Sequence, residues 1–274
     1  MILRVGARFA NRLPALLALG VPVLAGMGAM ALLGAPFGHL LTNAAALVAG
    51  VVLLLLPLPV LASGRSGRLL VLFLLSLLFV PWIAGPDLAG VSRWIELGPI
   101  TLHAGMLAIP ALCVLGARDP DYAAPVFLAA LLACLLQPDA ASAFALTFAA
   151  VGIHHATRDW KMGVVAIAGF FAMLAAAVRG ELPVVEYADR VLVQYAAANA
   201  LLALGLFASL VGGFCLMALA LPVERPARLA LAGSLFGFSI MGVMANYPSP
   251  LIGYGAAAIL GYGLALGLST KAAT

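Results

Sequence analysis

Long apolar runs, separated by short breaks rich in polar residues, proline or glycine, make up most of this chain. A helix needs about 20 apolar residues to span a bilayer, and most of the runs approach or exceed that length. The ten runs are 13–35, 40–62, 69–85, 101–117, 122–137, 140–156, 162–178, 191–221, 227–246 and 250–269. The pattern predicts an all-α polytopic membrane bundle of about ten transmembrane helices, with residues 1–274 forming a single domain.

The composition supports this prediction and excludes other classes of protein. Of the 274 residues, 65% are hydrophobic and 9% are charged, and the mean hydropathy is +1.17. A soluble domain carries roughly 25% charged residues. The charged residues are also too few and too scattered for a nucleic-acid-binding surface.

The distribution of basic residues predicts the orientation. With ten spans and a cytoplasmic N-terminus, 11 of the 14 basic residues fall on the cytoplasmic side, as the positive-inside rule requires. They are Arg4, Arg8, Arg12, Arg65, Arg68, Arg118, Arg158, Lys161, Arg225, Arg228 and Lys271. The outer side receives Arg93, Arg179 and Arg190. Both termini are therefore expected in the cytoplasm.

Candidate chemistry lies mainly on the outer side, which holds six of the ten acidic residues. Arg93 could bind a lipid phosphate, or pair with Glu96 or Asp87 in a loop on the membrane. Trp94 is typical of an interfacial anchor.

Two further outer stretches carry carboxylates. Asp139, after Gln137-Pro138, could cap the sixth helix or serve an outer cavity. Glu186 or Asp189, beside Arg190, could be a partly desolvated general base. No metal-ligand spacing is present, because the adjacent His154 and His155 diverge on a helix.

The glycine pattern predicts tight helix packing. Gly233 and Gly237 are spaced for close helix contact, as are several glycines between 253 and 267. A kink or cavity is expected near 248–250, where two prolines flank a serine.

Three motifs, in order along the chain, resemble those of the SEDS family of shape, elongation, division and sporulation proteins (RodA, FtsW and SpoVE). Residues 90–103, GVSRWIELGPITLH, are similar to the family's G-x-x-R-W stretch after the third helix. Residues 136–139 match its L-Q-P-D motif, and 248–255, which include Tyr254, resemble its P-L-P-F-I-S-Y-G motif.

The resemblance implies a bacterial inner-membrane glycosyltransferase of peptidoglycan synthesis that polymerises the undecaprenyl-linked precursor lipid II. On that reading Asp189 or Glu186 is the base, and Arg93, Trp94 and Arg190 bind the lipid phosphates. Gln137, Asp139 and Tyr254 would support the outer cavity. No cofactor is implied beyond a possible divalent cation with the pyrophosphate, and the implied partner is a class B penicillin-binding protein or another complex subunit.

The short outer loop after the seventh helix keeps a second hypothesis open. Only about 12 residues, 179–190, stand where family members have several dozen. A catalytically inactive SEDS-like scaffold that positions membrane partners is therefore the alternative. A small-solute transporter is a third, although its spans would need polar residues that are almost absent here.

Overall fold

A computed structural model describes residues 2–56, 58, 64–98 and 100–269, with side chains described from residue 12 onward. Eleven α-helices and one hairpin form this part of the chain. They are α1 (Ile2–Leu32), α2 (Phe37–Leu55), α3 (Gly64–Ala84), β1 (Trp94–Leu97), β2 (Ile100–His103), α4 (Ala104–Gly116), α5 (Pro120–Leu136), α6 (Ala140–Thr157), α7 (Trp160–Ala177), α8 (Val191–Ala198), α9 (Ala200–Cys215), α10 (Arg225–Met244) and α11 (Ala256–Leu268).

The helices form the predicted polytopic membrane bundle. Seven helical segments of the described chain are long and apolar enough to span a membrane. The shorter apolar helices α4, α5 and α11 have 13, 17 and 13 residues. Each of the ten predicted spans corresponds to one helix, or in one case to the pair α8 and α9. The end of the second predicted span, 40–62, lies outside the described residues.

The eighth span is not the single helix that its apolar run predicts. Asn199, with an extended φ of −156°, separates α8 from α9, and its side-chain oxygen accepts the backbone N–H groups of Leu201 and Leu202. The capping side chain thus ends one helix and starts the next. A π-helical turn, Leu216–Ala220, then completes the span.

The two ends of the bundle differ in charge. One end, called the basic face here, carries Arg65, Arg68, Arg118, Arg158, Lys161, Arg225 and Arg228. Contacts such as Arg118 Nη2 to the Leu268 carbonyl, 2.9 Å, and Arg225 Nη2 to His155 Nε2, 3.1 Å, join neighbouring helices there. The opposite end, called the hairpin face, carries Arg93, Arg179 and Arg190. Arg12, also assigned to the basic side, donates from Nη1 to the carbonyl of Leu54 near the end of α2 at 2.6 Å. The side chains of Arg4 and Arg8 lie outside the described part, and Lys271 lies beyond it altogether.

Glycines bring helix backbones into direct contact, as predicted. A Cβ at Gly233 of α10 would lie 2.4 Å from the Phe148 carbonyl oxygen of α6, and one at Gly263 of α11 would lie 2.6 Å from the Gly50 Cα of α2. Such distances exclude any side chain. Close packing of small residues therefore holds the centre of the bundle, where lipid supplies no hydrophobic driving force.

The approach to α4 is a hairpin instead of the start of a long span. β1 and β2 are antiparallel, with Trp94 opposite His103, and Gly98 takes a left-handed φ of +62° at the turn. Helix α4 begins only at Ala104, after His103, whose Nδ1 accepts the Met106 N–H as the N-cap. The hairpin places Arg93 and Trp94 side by side at one end of the bundle.

Candidate functional site

A cavity of about 750 Å³ lies at the hairpin face. Its walls come from the hairpin, from the 178–190 loop and from the segment between α10 and α11. Arg93, Trp94, His103, Asp189, Ser249 and Tyr254 are among the lining residues, and most of the others are apolar. The predicted cavity near 248–250 is present, since Pro248 and Ser249 line it, and α11 does not start until Ala256. This volume is within the range of about 300 to 1,000 Å³ that is typical of ligand pockets.

Asp189 is the carboxylate of this cavity. It is 5% exposed, and its Oδ2 accepts the Val185 N–H at 2.8 Å. Its Oδ1 accepts no hydrogen bond from the described residues. Burial raises the pKa of Asp189 above its ordinary value, while the hydrogen bond from Val185 and the charge of Arg93 partly offset that rise. Asp189 therefore offers one free oxygen with increased basicity.

Backbone hydrogen bonds hold Asp189 in place. The Ser249 N–H donates to the Ala188 carbonyl at 2.8 Å, and the Tyr254 N–H donates to the Tyr187 carbonyl at 2.7 Å. Asp189 itself forms an antiparallel bridge with Pro248. The second half of the loop is thus paired with the α10–α11 segment, and the carboxylate sits on a fixed backbone.

Arg93 is a buried structural cation at the cavity wall. It is 2% exposed. Its Nε donates to the Pro138 carbonyl at 3.1 Å, and its Nη2 donates to the same carbonyl at 2.6 Å and to the Gly180 carbonyl. The guanidinium carbon lies 4.4 Å from the centre of the Tyr247 ring. Neither Glu96 nor Asp87 pairs with it. The expected ion pair is thus replaced by carbonyl contacts, while Nη1 donates to no described residue.

Asp139 lies below the cavity and is 1% exposed. Its Oδ1 accepts the Ser142 N–H at 3.1 Å, which confirms the predicted cap of α6. Its Oδ2 lies 3.6 Å from Nε2 of His103. Asp139 therefore does not line the cavity itself; the imidazole of His103, which does, lies between Asp139 and the cavity.

Gln137 connects helices beside the same turn. It is 3% exposed, and its Nε2 donates to the Leu78 carbonyl of α3. It does not line the cavity. The Gln137 side chain therefore supports the cavity only by positioning the turn that carries Pro138.

Of the four remaining predicted site residues, two line the cavity and two do not. Glu186 is exposed, and Arg190 is half-buried in a left-handed conformation at φ 49°; neither lines the cavity. Trp94 lines it, with its ring edge-on to His103 at 6.2 Å between centroids. Tyr254 also lines it and stacks on His39 at 3.9 Å.

Two side chains that stabilise this region are not predicted by the sequence patterns. Tyr247 faces Arg93, and its hydroxyl accepts the Ala140 N–H at 3.0 Å. Burial raises the pKa of Tyr247 to about 12, which keeps the phenol neutral. Asn43 is fully buried, donates to the Gly253 carbonyl and accepts the Gly255 N–H. A lone asparagine in an apolar run was the available clue, since polar groups inside a membrane need partners.

Solved structures with this architecture include the rod shape determining protein RodA of Thermus thermophilus. A single-substitution mutant of that RodA superposes with a TM-score of 0.66 at 21% identity, over 93% of this chain and 94% of that chain. The unsubstituted protein gives 0.62 at 22% identity, again over 93% and 94%. The chain has the RodA fold.

A second solved assembly shares this RodA-like fold. A chain from a structure of a peptidoglycan synthase complex, described as coordinating polymerization and crosslinking, matches with a TM-score of 0.61 at 21% identity, over 93% of this chain and 96% of that chain. No protein-family model and no curated protein matches the sequence. The likeness extends over almost the whole of each chain and concerns the arrangement of the helices.

Proposed function

We propose that this chain is a SEDS-family protein of peptidoglycan synthesis in a bacterial inner membrane, and that the cavity at the hairpin face binds an undecaprenyl-linked sugar. The observation that carries the proposal is Asp189, a buried carboxylate with a raised pKa and one free oxygen on the wall of that cavity. The RodA-like fold and the three sequence motifs support it.

In the proposed reaction Asp189 acts as general base. An acceptor hydroxyl loses its proton to Oδ1 and attacks the anomeric carbon of the donor sugar, while the bond from that carbon to the pyrophosphate oxygen breaks. The pyrophosphate leaves on the lipid carrier. Burial favours proton uptake by Asp189, because it disfavours the ionised form of the carboxylate.

Arg93 supplies positive charge near the leaving group in this proposal. Its Nε and Nη2 are held by carbonyls, which leaves Nη1 as the donor for a phosphate oxygen. The apolar lining, including Leu182, Val184 and Leu251, suits the start of an isoprenoid chain. We propose no resident cofactor; a divalent cation bound to the pyrophosphate would enter with the substrate.

A non-catalytic scaffold is the second candidate, and one observation favours it. Arg93, Gln137 and Asp139 each have a structural partner: the Pro138 carbonyl, the Leu78 carbonyl and the Ser142 N–H. The retained motif residues can therefore be explained by folding alone. Such a subunit would bind and position a membrane partner, for example a class B penicillin-binding protein.

Purified protein supplied with labelled lipid II, alone and with the candidate partner, separates the two functions. We expect polymer from the wild type, none from Asp189→Asn, and undiminished polymer from the matched control Glu186→Gln, which alters an exposed carboxylate of the same loop. Failure of the wild type to make polymer under both conditions, together with a stable co-purifying complex, would favour the scaffold. Equal activity of Asp189→Asn and wild type would exclude Asp189 as the base.

A further inference from the structure

A second cavity, of about 610 Å³, lies at the basic face, at the opposite end of the bundle from Asp189. The start of α3, the end of α4, the start of α5 and the residue before α10 line it. Its charged lining residues are Arg68, Arg118, Asp119 and Glu224. Two guanidinium groups and two carboxylates make the formal charge of the lining zero.

We infer that this cavity binds the headgroup of a zwitterionic phospholipid with a primary ammonium group, phosphatidylethanolamine. The inference is independent of the proposed function, because none of the lining residues belongs to the cavity at the hairpin face.

The arginines retain donors for a phosphate. Arg118 is half-buried and uses Nη2 to donate to the Leu268 carbonyl at 2.9 Å, which leaves most of its five N–H donors. Arg68 contacts Asp119 through Nε, at 3.5 Å, and its terminal nitrogens donate to no described residue. The planar guanidinium fork matches the oxygens of a phosphate, so the arginines suit the phosphate of a headgroup.

The carboxylates select the second charge of the headgroup. Because the two guanidinium groups already balance Asp119 and Glu224, a purely anionic headgroup would leave a net negative charge in the cavity, whereas a headgroup that also carries an ammonium group would keep it neutral. Glu224 makes no side-chain cap bond to α10, and although the charge of Arg118 acts on its carboxylate, the two oxygens keep acceptor sites for an ammonium group. A primary ammonium donates three hydrogen bonds to such oxygens.

The aromatic residue of the cavity disfavours choline. A quaternary ammonium group is recognised by open aromatic faces. The ring of Tyr122 already has the Arg68 guanidinium over it, 4.6 Å from the centroid. The cavity therefore offers carboxylate acceptors to a cation instead of a free aromatic face.

An apolar wall continues from the charged rim into the bundle. Val71, Leu72 and Leu75 of α3 face Leu115 and Val126 across the cavity. Leu75 is seven residues beyond Arg68, so the wall extends about 10 Å along the helix axis at 1.5 Å per residue. A charged rim above an apolar wall matches a headgroup followed by the first part of an acyl chain.

Delipidated wild-type protein in detergent, titrated with phosphatidylethanolamine, phosphatidylglycerol or phosphatidylcholine of identical acyl chains, provides the test. Native mass spectrometry counts bound lipid, and the thermal unfolding midpoint gives a second readout. We expect phosphatidylethanolamine to bind about threefold or more tightly than the other two lipids and to raise the midpoint most. Equal binding of the three lipids, or a preference for phosphatidylglycerol, would overturn the inference.

Variants then locate the site. Glu224→Gln should weaken phosphatidylethanolamine binding about two- to fivefold, the scale of one partly exposed ion pair, and Glu224→Lys should shift the preference to phosphatidylglycerol. Glu224 is exposed and lacks a capping bond, so both variants should fold. Arg118→Gln should weaken binding of both lipids, whereas Arg158→Gln, an exposed charge of the same face outside the cavity, should change neither. Equal effects of Arg118→Gln and Arg158→Gln would refute the placement.

Discussion

Replacement of Arg93 by methionine tests whether this buried cation holds the hairpin face together. The guanidinium joins the hairpin to the α5–α6 turn through Pro138 and to the 178–190 loop through Gly180. Both carbonyl-bearing residues are buried. Methionine would fill part of the space but donate to neither carbonyl.

The expected loss follows from those two acceptors. A buried polar group left without its partner costs about 1 to 3 kcal/mol, so two carbonyls give about 2 to 6 kcal/mol. Release of the buried guanidinium charge offsets part of this sum. We expect Arg93→Met to lower the free energy of unfolding by about 3 kcal/mol. Arg93→Lys should lose about 1 to 2 kcal/mol, because an ammonium group keeps the charge without the planar fork.

Equilibrium unfolding by sodium dodecyl sulfate in mixed micelles, followed by tryptophan fluorescence, measures both variants. Arg179→Met is the matched control, since Arg179 also donates to carbonyls, those of Ala175 and Leu135, but is exposed. It should lose less than about 1 kcal/mol. If Arg93→Met and Arg179→Met lost the same stability, the structural role assigned to Arg93 would be wrong.

Three further perturbations test other parts of the molecule. Gly233→Ala should force α6 and α10 apart and cost about 1 to 3 kcal/mol in the same unfolding assay, whereas Gly205→Ala, with no atom within 4 Å of the added Cβ, should be neutral or slightly stabilising. Asp139→Ala should lower the free energy of unfolding by about 1 kcal/mol because the α6 cap is lost, whereas Asp139→Asn should lower it by only a few tenths. Equal losses would show that the cap does not account for the stability that Asp139 provides. Because the pKa of Asp189 is raised and the base must be ionised, the polymerisation rate should fall as the pH drops through an apparent pKa above 3.8; a rate that stays flat down to pH 3.8 would contradict the assignment.

Hydrophobic patterning predicts the number and order of spans here because each break contains residues that a membrane helix does not tolerate at its centre. Pro120 and the adjacent aspartates end one helix and start the next, as expected. The break at Asn199 was missed because a single asparagine barely interrupts an apolar run of 31 residues, 191–221. That length, well over the span of about 20, was the clue.

The site was predictable only in part. The general region of Asp189 followed from the surplus of outer carboxylates, but nothing local distinguishes it from Glu186. Burial makes that distinction, and burial depends on backbone pairing with Pro248, about 60 residues away along the chain. Likewise, carbonyl partners for Arg93 could not be read from side-chain identity, since every residue carries a carbonyl.

The backbone pairing of Tyr187, Ala188 and Asp189 with the segment 247–254 divides the loop after α7 into two parts with different tolerance to change. Residues 181–184 form no backbone hydrogen bonds to that segment. Insertions there can therefore lengthen the loop without moving the Asp189 carboxylate. Insertions between 187 and 190 would shift the register of the pairing and turn Asp189 away from its cavity. In this chain the loop can therefore change in length near its entrance, whereas its exit has a fixed spacing before α8.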